Sequence, residues 1–291
     1  MNRRCIKRRI QRNCLRRCQD TLCFKLSIPA TLLNFGICTH WKPDSNDSDT
    51  HGLAIYNEAN TVNAVLDEVL KYSDDVLVVD DGSSDGTSEL LKQRDDIQMA
   101  AHSENKGYGA ALFTSFDYAA KNGYDILVTI DCDGQHQPGL IPDFVTACEA
   151  DGVDLVSGSR YLKKFEGDSQ PPEQRLKINR KITGLLNERL GFDLTDAFCG
   201  FKAYRVETLA KMKLTEPGYA MPLELWVQTA CLKLNVVEHP IPLIYLDEKR
   251  SFGGSLDDGE QRLRYYVEVI NRSLKALPNN CGQLAKIELT V

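Results

Sequence analysis

This 291-residue chain has no run of apolar residues long enough to cross a bilayer. The nearest approach, Leu26 to Cys38, is short and is broken by Pro29. An embedded anchor is therefore not expected. The chain also lacks the basic balance of a nucleic-acid binder. Residues 43–291 carry 25 Lys/Arg against 40 Asp/Glu, so non-specific attraction to nucleic acid is excluded. Its ten cysteines have no spacing that reads as a disulfide framework in a chain this long. Cys14, Cys18 and Cys23 lack a fourth ligand for a zinc site. No internal repeat is visible.

What is present divides unevenly. Residues 1–42 hold 10 Lys/Arg and a single acid, Asp20. They read as an unstructured basic extension, and the polar, turn-rich Pro43 to His51 as a linker. The expected map is extension and linker over 1–51, one domain over 52–280 and a tail over 281–291. Within the domain, short apolar runs alternate with amphipathic segments. Gly52–Tyr56, Val76–Val79, Ile97–Ala101, Ile126–Ile130 and Leu155–Gly158 read as strands. These runs are continuous rather than alternating. That predicts an α/β fold with a mostly parallel sheet covered by helices on both faces. Asn57 is the expected helix cap after the first strand, and Ser255 with Asp258 the expected capping box of the last helix. Val236 to Leu246 is read as one more strand.

Ligands on such sheets bind beyond the carboxyl ends of the strands. Polar clusters fall at those ends: Asn57-Glu58, Asp80-Asp81 and Asp131-Cys132-Asp133-Gly134-Gln135-His136. Two carboxylates and an amide leaving a buried strand form a hard, all-oxygen ligand set. Asp131, Asp133 and Gln135 therefore suit Mg²⁺ or Mn²⁺. Cys132 is a small filler between carboxylates, which would raise its pKa and make it a poor nucleophile. Gly107-Tyr108-Gly109 is a weak match to a dinucleotide fingerprint, since Leu112 stands at the third glycine position.

Taken together, these segments resemble the family 2 glycosyltransferases of the GT-A fold. The resemblance is nearest to the group of dolichol-phosphate mannose synthases and polyprenyl-phosphate glycosyltransferases. It rests on Ala54–Glu58, Val79–Thr87, Asn105–Ala111, Asp131–His136, Gly158–Tyr161 and the Arg250 loop, and covers about residues 52–275. It implies an inverting, metal-dependent transfer of a hexose from a GDP- or UDP-linked sugar. By the same resemblance Tyr56 and Glu58 line the nucleotide pocket. Asp81 meets the base or ribose with Asp80 behind it, and Lys106 and Gly107 close over the nucleotide. Asp131, Asp133 and Gln135 hold metal and diphosphate, and Arg250 and Ser255 belong to a phosphate loop. That loop often ends in Ser-Lys, whereas Leu256 follows Ser255 here.

The acceptor divides two expectations. A lipid phosphate needs cations, for which Arg250, Arg160, Lys202 and Lys249 are candidates. A hydroxyl acceptor needs a base, for which Asp196 is the candidate. The phosphate-bearing lipid is the favoured reading. It makes the protein cytoplasmic, with transient contact to the inner face of a membrane through loops 161–173 and 247–256. Rival expectations are a non-catalytic nucleotide-sugar binder and a nucleotidyltransferase. The latter wants a Gly-rich, Arg-bearing loop where Asn57-Glu58-Ala59 stands.

Overall fold

The computed structural model describes residues 49–246 and 254–290. These fall within one compact unit, Pro43–Val291. Its centre is a seven-stranded sheet. The strands are β1 (Asp49–Ile55), β2 (Val76–Asp80), β3 (Gln98–Ala101), β4 (Ile126–Thr129), β5 (Leu155–Ser159), β6 (Lys202–Arg205) and β7 (Val236–Pro240). Their order across the sheet is β3-β2-β1-β4-β6-β5-β7. Only β6 runs antiparallel, pairing β4 through Thr129–Lys202 and β5 through Ser157–Lys202.

The helices are α1 (Val62–Val69), α2 (Thr87–Leu91), α3 (Tyr108–Asn122), α4 (Ile141–Glu149), α5 (Glu173–Leu190), α6 (Val206–Leu209), α7 (Met221–Leu232) and α8 (Gly259–Lys275). The central strands β2, β4 and β5 are buried on both faces, as unbroken apolar runs require, whereas the edge strands β3 and β7 are partly exposed. One face packs Leu53, Val78, Val128 and Val156 against Val62 and Leu66 of α1 and Ile141 and Phe144 of α4. Phe144 stacks on Phe201 with ring centroids 4.0 Å apart. The other face packs Leu127, Leu155 and Tyr204 against α3, α5, α7 and α8, around the fully buried Trp226. Burying a side chain of that size contributes on the order of 2–3 kcal/mol.

Several local expectations shift. β1 begins at Asp49, so residues 49–51 are strand rather than linker; Thr50 and His51 pair with Leu127 and Val128. Asn57 does not cap a helix. It adopts φ 56°, and α1 starts five residues later. The strand expected over 236–246 stops at Pro240. Asp258 caps α8, accepting from the Gln261 N–H at 2.8 Å. β6 lay inside what reads in sequence as a turn and the residues after it. The segment expected as a tail packs back: Cys281 pairs with Cys231 at the end of α7, and Leu289 exchanges two hydrogen bonds with Asn271. Among the described residues no helix is long and apolar enough to cross a membrane.

Candidate active site

A cleft of about 440 Å³ opens where β1, β2, β4 and β5 end. Tyr56, Glu58, Asp81, Gly107, Asp131, Asp133, Gln135 and Arg160 all line it. The loops after β1 and β2 are zipped together by side-chain-to-backbone hydrogen bonds. The Asn57 N–H donates to Ser83 Oγ at 2.9 Å, and Asn57 Oδ1 accepts from the Ser84 N–H at 2.9 Å. The Glu58 N–H donates to Thr87 Oγ1 at 2.9 Å. Asp80, itself buried, accepts from the Ser83 N–H at 3.0 Å and from the Ser88 hydroxyl. It braces the loop from behind.

Asp81 is held from three sides. It accepts from the Lys106 N–H at 2.9 Å and the Gly107 N–H at 2.8 Å, and it meets His102 Nδ1 at 2.6 Å. Thus Lys106 and Gly107 bind Asp81 through their backbones. Gly107 is required at this turn: φ is 105°, and a Cβ would stand 2.4 Å from the Pro217 carbonyl oxygen. Nothing in the sequence singles out His102, which opens the polar run His102–Lys106 after β3.

Beyond β4, the Asp131 N–H donates to His136 Nδ1 at 3.2 Å, and the Tyr108 hydroxyl donates to Asp131 Oδ1 at 3.2 Å. Burial and the neighbouring Asp131 both push Tyr108 well above its ordinary pKa, so it stays a donor. Gln135 donates its backbone N–H to Asp133 Oδ1 at 3.0 Å and its side-chain amide to Asp133 Oδ2 at 2.8 Å. That orientation leaves the Gln135 carbonyl oxygen as an acceptor. The donor set is therefore all oxygen and small, the chemistry that Mg²⁺ or Mn²⁺ takes when substrate phosphates supply further ligands. Among the described residues no group of three or more His, Cys, Asp or Glu side chains is placed to hold a metal ion.

The turn Asp196–Gly200 closes the far side. Asp196 is fully buried and does not line the cleft. It receives Arg160 Nε at 2.6 Å and Nη2 at 3.0 Å, Asn179 Nδ2 at 2.8 Å and the Phe198 N–H at 3.1 Å. Burial alone would raise its pKa, but the Arg160 guanidinium and these donors hold it below the usual value. A base needs basicity and access, and Asp196 has neither. The structure corrects that expectation: Asp196 orients Arg160.

Lys202 is corrected as well. It is fully buried, donating to Ser157 Oγ at 2.8 Å and the Cys199 carbonyl at 2.5 Å, and it is absent from the cleft wall. Burial depresses its pKa. Glu224 caps a turn, accepting from the Thr215 and Glu216 N–H groups at 2.6 Å. Arg250, Lys249 and the Ser255 side chain lie outside the described residues. Among the described residues, Arg175 of α5 and Arg262 of α8 line the cleft. Both sit on amphipathic helices, where an arginine reads in sequence as solvated surface.

The model of "Glycosyl transferase family 2" matches residues 52–212, the span that contains the carboxyl ends of β1, β2, β4 and β5. The chain belongs to glycosyl transferase family 2. It is accordingly a glycosyltransferase with the GT-A-like fold. An undecaprenyl-phosphate mannosyltransferase of Micrococcus luteus is 34% identical over 191 residues, 62% of this chain and 76% of that one. A polyprenol monophosphomannose synthase of Mycolicibacterium smegmatis is 34% identical over 174 residues, 57% of this chain and 65% of that one. Among solved structures, glucosyl-3-phosphoglycerate synthase from Mycobacterium tuberculosis, bound to Mn²⁺, UDP and phosphoglyceric acid, superposes with a TM-score of 0.58. It is 21% identical, covering 81% of this chain and 79% of that one. That likeness is one of fold.

Proposed function

We propose that this family 2 glycosyltransferase moves a hexose from a nucleotide-diphosphate sugar to a polyprenyl phosphate, with inversion. The observation that carries the reading is a single cleft with two unlike walls. One wall bears Asp131, Asp133 and Gln135; the other bears Arg160, Arg175 and Arg262 among Ile178, Phe198 and Tyr266. An oxygen set facing a mixed cationic and apolar wall matches a charged donor facing an amphiphilic acceptor. The names of the two relatives support the same acceptor class.

On this reading Asp81, Tyr56 and Glu58 seat the nucleoside, with GDP and UDP as the candidate nucleotides. Asp131, Asp133 and Gln135 would hold Mg²⁺ or Mn²⁺, which when bound neutralises the charge that builds on the departing diphosphate. A phosphate oxygen of the acceptor attacks the anomeric carbon. The bond from that carbon to the diphosphate oxygen breaks, and its electron pair leaves with the nucleoside diphosphate. A phosphate monoester is already anionic at neutral pH, so no general base is required. Arg160, held rigid by Asp196, lowers the cost of bringing that anion towards the donor. Contact with a membrane is peripheral on this reading, and the exposed Leu162 lies in the loop expected to make it.

The test is transfer of tritiated sugar from nucleotide donors to a short-chain polyprenyl phosphate, with and without Mn²⁺. Label is expected in the organic phase only with metal. No organic-phase label with any sugar sinks the acceptor assignment. Asp133→Ala is expected to abolish transfer; unchanged turnover removes the metal assignment.

A further inference from the structure

Asp81 lines the cleft, yet most of its hydrogen-bonding capacity is taken up by the protein itself. A carboxylate offers about four acceptor positions, two on each oxygen. Oδ1 accepts from the Lys106 N–H at 2.9 Å and from His102 Nδ1 at 2.6 Å. A carboxylate only accepts, so Nδ1 carries a proton. Oδ2 accepts from the Gly107 N–H at 2.8 Å. Oδ1 is therefore full, and Oδ2 keeps one acceptor position. Only 4% of the Asp81 side chain is exposed, which leaves room for one partner from the cleft.

The three donors are clamped where they stand. Gly82, next to Asp81, has φ 73°, and a Cβ there would stand 2.4 Å from the Glu104 carbonyl carbon, so the β2 turn presses on the loop that carries them. From the other side the Pro217 carbonyl oxygen accepts from the Ala110 N–H at 3.1 Å and backs Gly107. His102 is fixed at both ends. Its backbone N–H donates to the Asp80 carbonyl at 2.9 Å, and its Nε2 lies 2.9 Å from Thr114 Oγ1 on α3. The two candidate nucleobases make different demands on a carboxylate held this way. Guanine presents two adjacent donors, N1–H and the N2 amino group, and takes one carboxylate oxygen with each. Uracil presents a single N3–H. The open position on Oδ2 satisfies uracil, whereas it leaves one guanine donor facing the filled Oδ1 without an acceptor. A pocket whose polar groups pair with one ligand rejects another whose polar groups go unpaired.

We propose that His102, by filling Asp81 Oδ1 together with the Lys106 N–H, makes this a uridine site, so that the donor is a UDP-sugar. This rests on the reading that Asp81 meets the base of a nucleotide-sugar donor. His102 does not line the cleft. It is a positioning residue that sets base specificity through Asp81.

Calorimetry on the full chain with Mg²⁺ tests it, using UDP, GDP and CDP as probes. Cytosine is the size of uracil but has no N3–H, so CDP separates the reading of that proton from the reading of size. The wild type is expected to bind UDP at least about tenfold more tightly than either GDP or CDP. His102→Phe keeps a ring and removes the donor, which frees a position on Oδ1. The preference for UDP over GDP is then expected to shrink by at least about fivefold. His102→Asn keeps an N–H donor and is expected to retain the wild-type ratio. GDP bound as tightly as UDP overturns the proposal, and so does CDP bound as tightly as UDP. An unchanged ratio in His102→Phe also overturns it, including the case in which all three nucleotides weaken alike, the mark of a merely structural histidine. If His102→Phe fails to fold, His102→Ala decides by the same ratio. Binding of none of the three nucleotides defeats the underlying reading of the cleft, whereas a reversed ranking defeats the uridine assignment alone.

Discussion

The two walls of the cleft are built by different means. The wall formed by the ends of β1, β2 and β4 is held by hydrogen bonds from side chain to backbone that tie one loop to the next, such as Asn57 to Ser84 and Asp81 to Gly107. The wall formed by β5, α5 and α8 is held by charged side chains paired with each other, such as Arg160 with Asp196. Carboxylates satisfied by backbone donors are held in place before any ligand arrives. A wall assembled from buried charges depends on every partner being present. On the proposed reading the donor side thus tolerates change at its rim, whereas the acceptor side fails as a unit.

Removing one member of the buried pair is the largest test of this contrast. Asp196→Ala should cost about 3–5 kcal/mol of stability, because the Arg160 charge stays buried without its carboxylate. Urea unfolding measures it. A base at this position predicts the opposite result, lost turnover with stability intact. Next in size is Gly200→Ala, whose Cβ would stand 2.3 Å from Asp131 Oδ2. Displacing that carboxylate should lower turnover by about 100-fold while the far-ultraviolet spectrum stays native.

A pH effect follows in β1, away from the cleft. His51 is fully buried in β1, and burial, outweighing the opposing charge of Asp49, lowers its pKa below the ordinary value. The folded state therefore keeps His51 neutral where the unfolded chain is protonated. Its contribution is fully present above the unfolded pKa of about 6.5 and is lost as pH falls below that value. Between pH 7.5 and pH 5.5 stability should drop by up to about 1.4 kcal/mol. A His51→Leu variant should not show the drop. The smallest effect is that of Tyr108→Phe, which deletes one hydrogen bond to Asp131. Mn²⁺ affinity, read by electron paramagnetic resonance, should weaken by about fivefold, the equivalent of roughly 1 kcal/mol. No change would mean that Asp131 is oriented by its other contacts alone.

The same contrast explains what the sequence discloses. The donor side is legible because its ligands are close in sequence: Asp131, Asp133 and Gln135 span five residues, and buried parallel strands announce themselves as unbroken apolar runs. The acceptor side is not. Lys202 to Arg205 is a four-residue strand, too short for its period to show. Lys202 reads as a free cation until the packing of Trp226 and Ser157 around it is known. Asp196 reads as a base because its partner is remote in sequence. Arg262 reads as surface because helical periodicity cannot say that a second helix covers it. Asn57 stands between these cases: its type reads as a helix cap, but in the structure its left-handed backbone goes with the hydrogen bonds to Ser83 and Ser84.

The turn from Asp196 to Gly200 touches both walls. Asp196 grips Arg160, and Gly200 lies against Asp131. Its backbone is tied at Thr195 and Asp196 to Glu238, at Ala197 to Thr183 and Trp226, and at Gly200 to Thr129. Five residues of covalent chain thus work as a gauge block between the point where charge leaves and the point where charge arrives. On the proposed reading, changes in α5 and α8 would alter which acceptor is held without altering how far it must travel. One enzyme architecture can then be refitted to new acceptors at little risk to its chemistry.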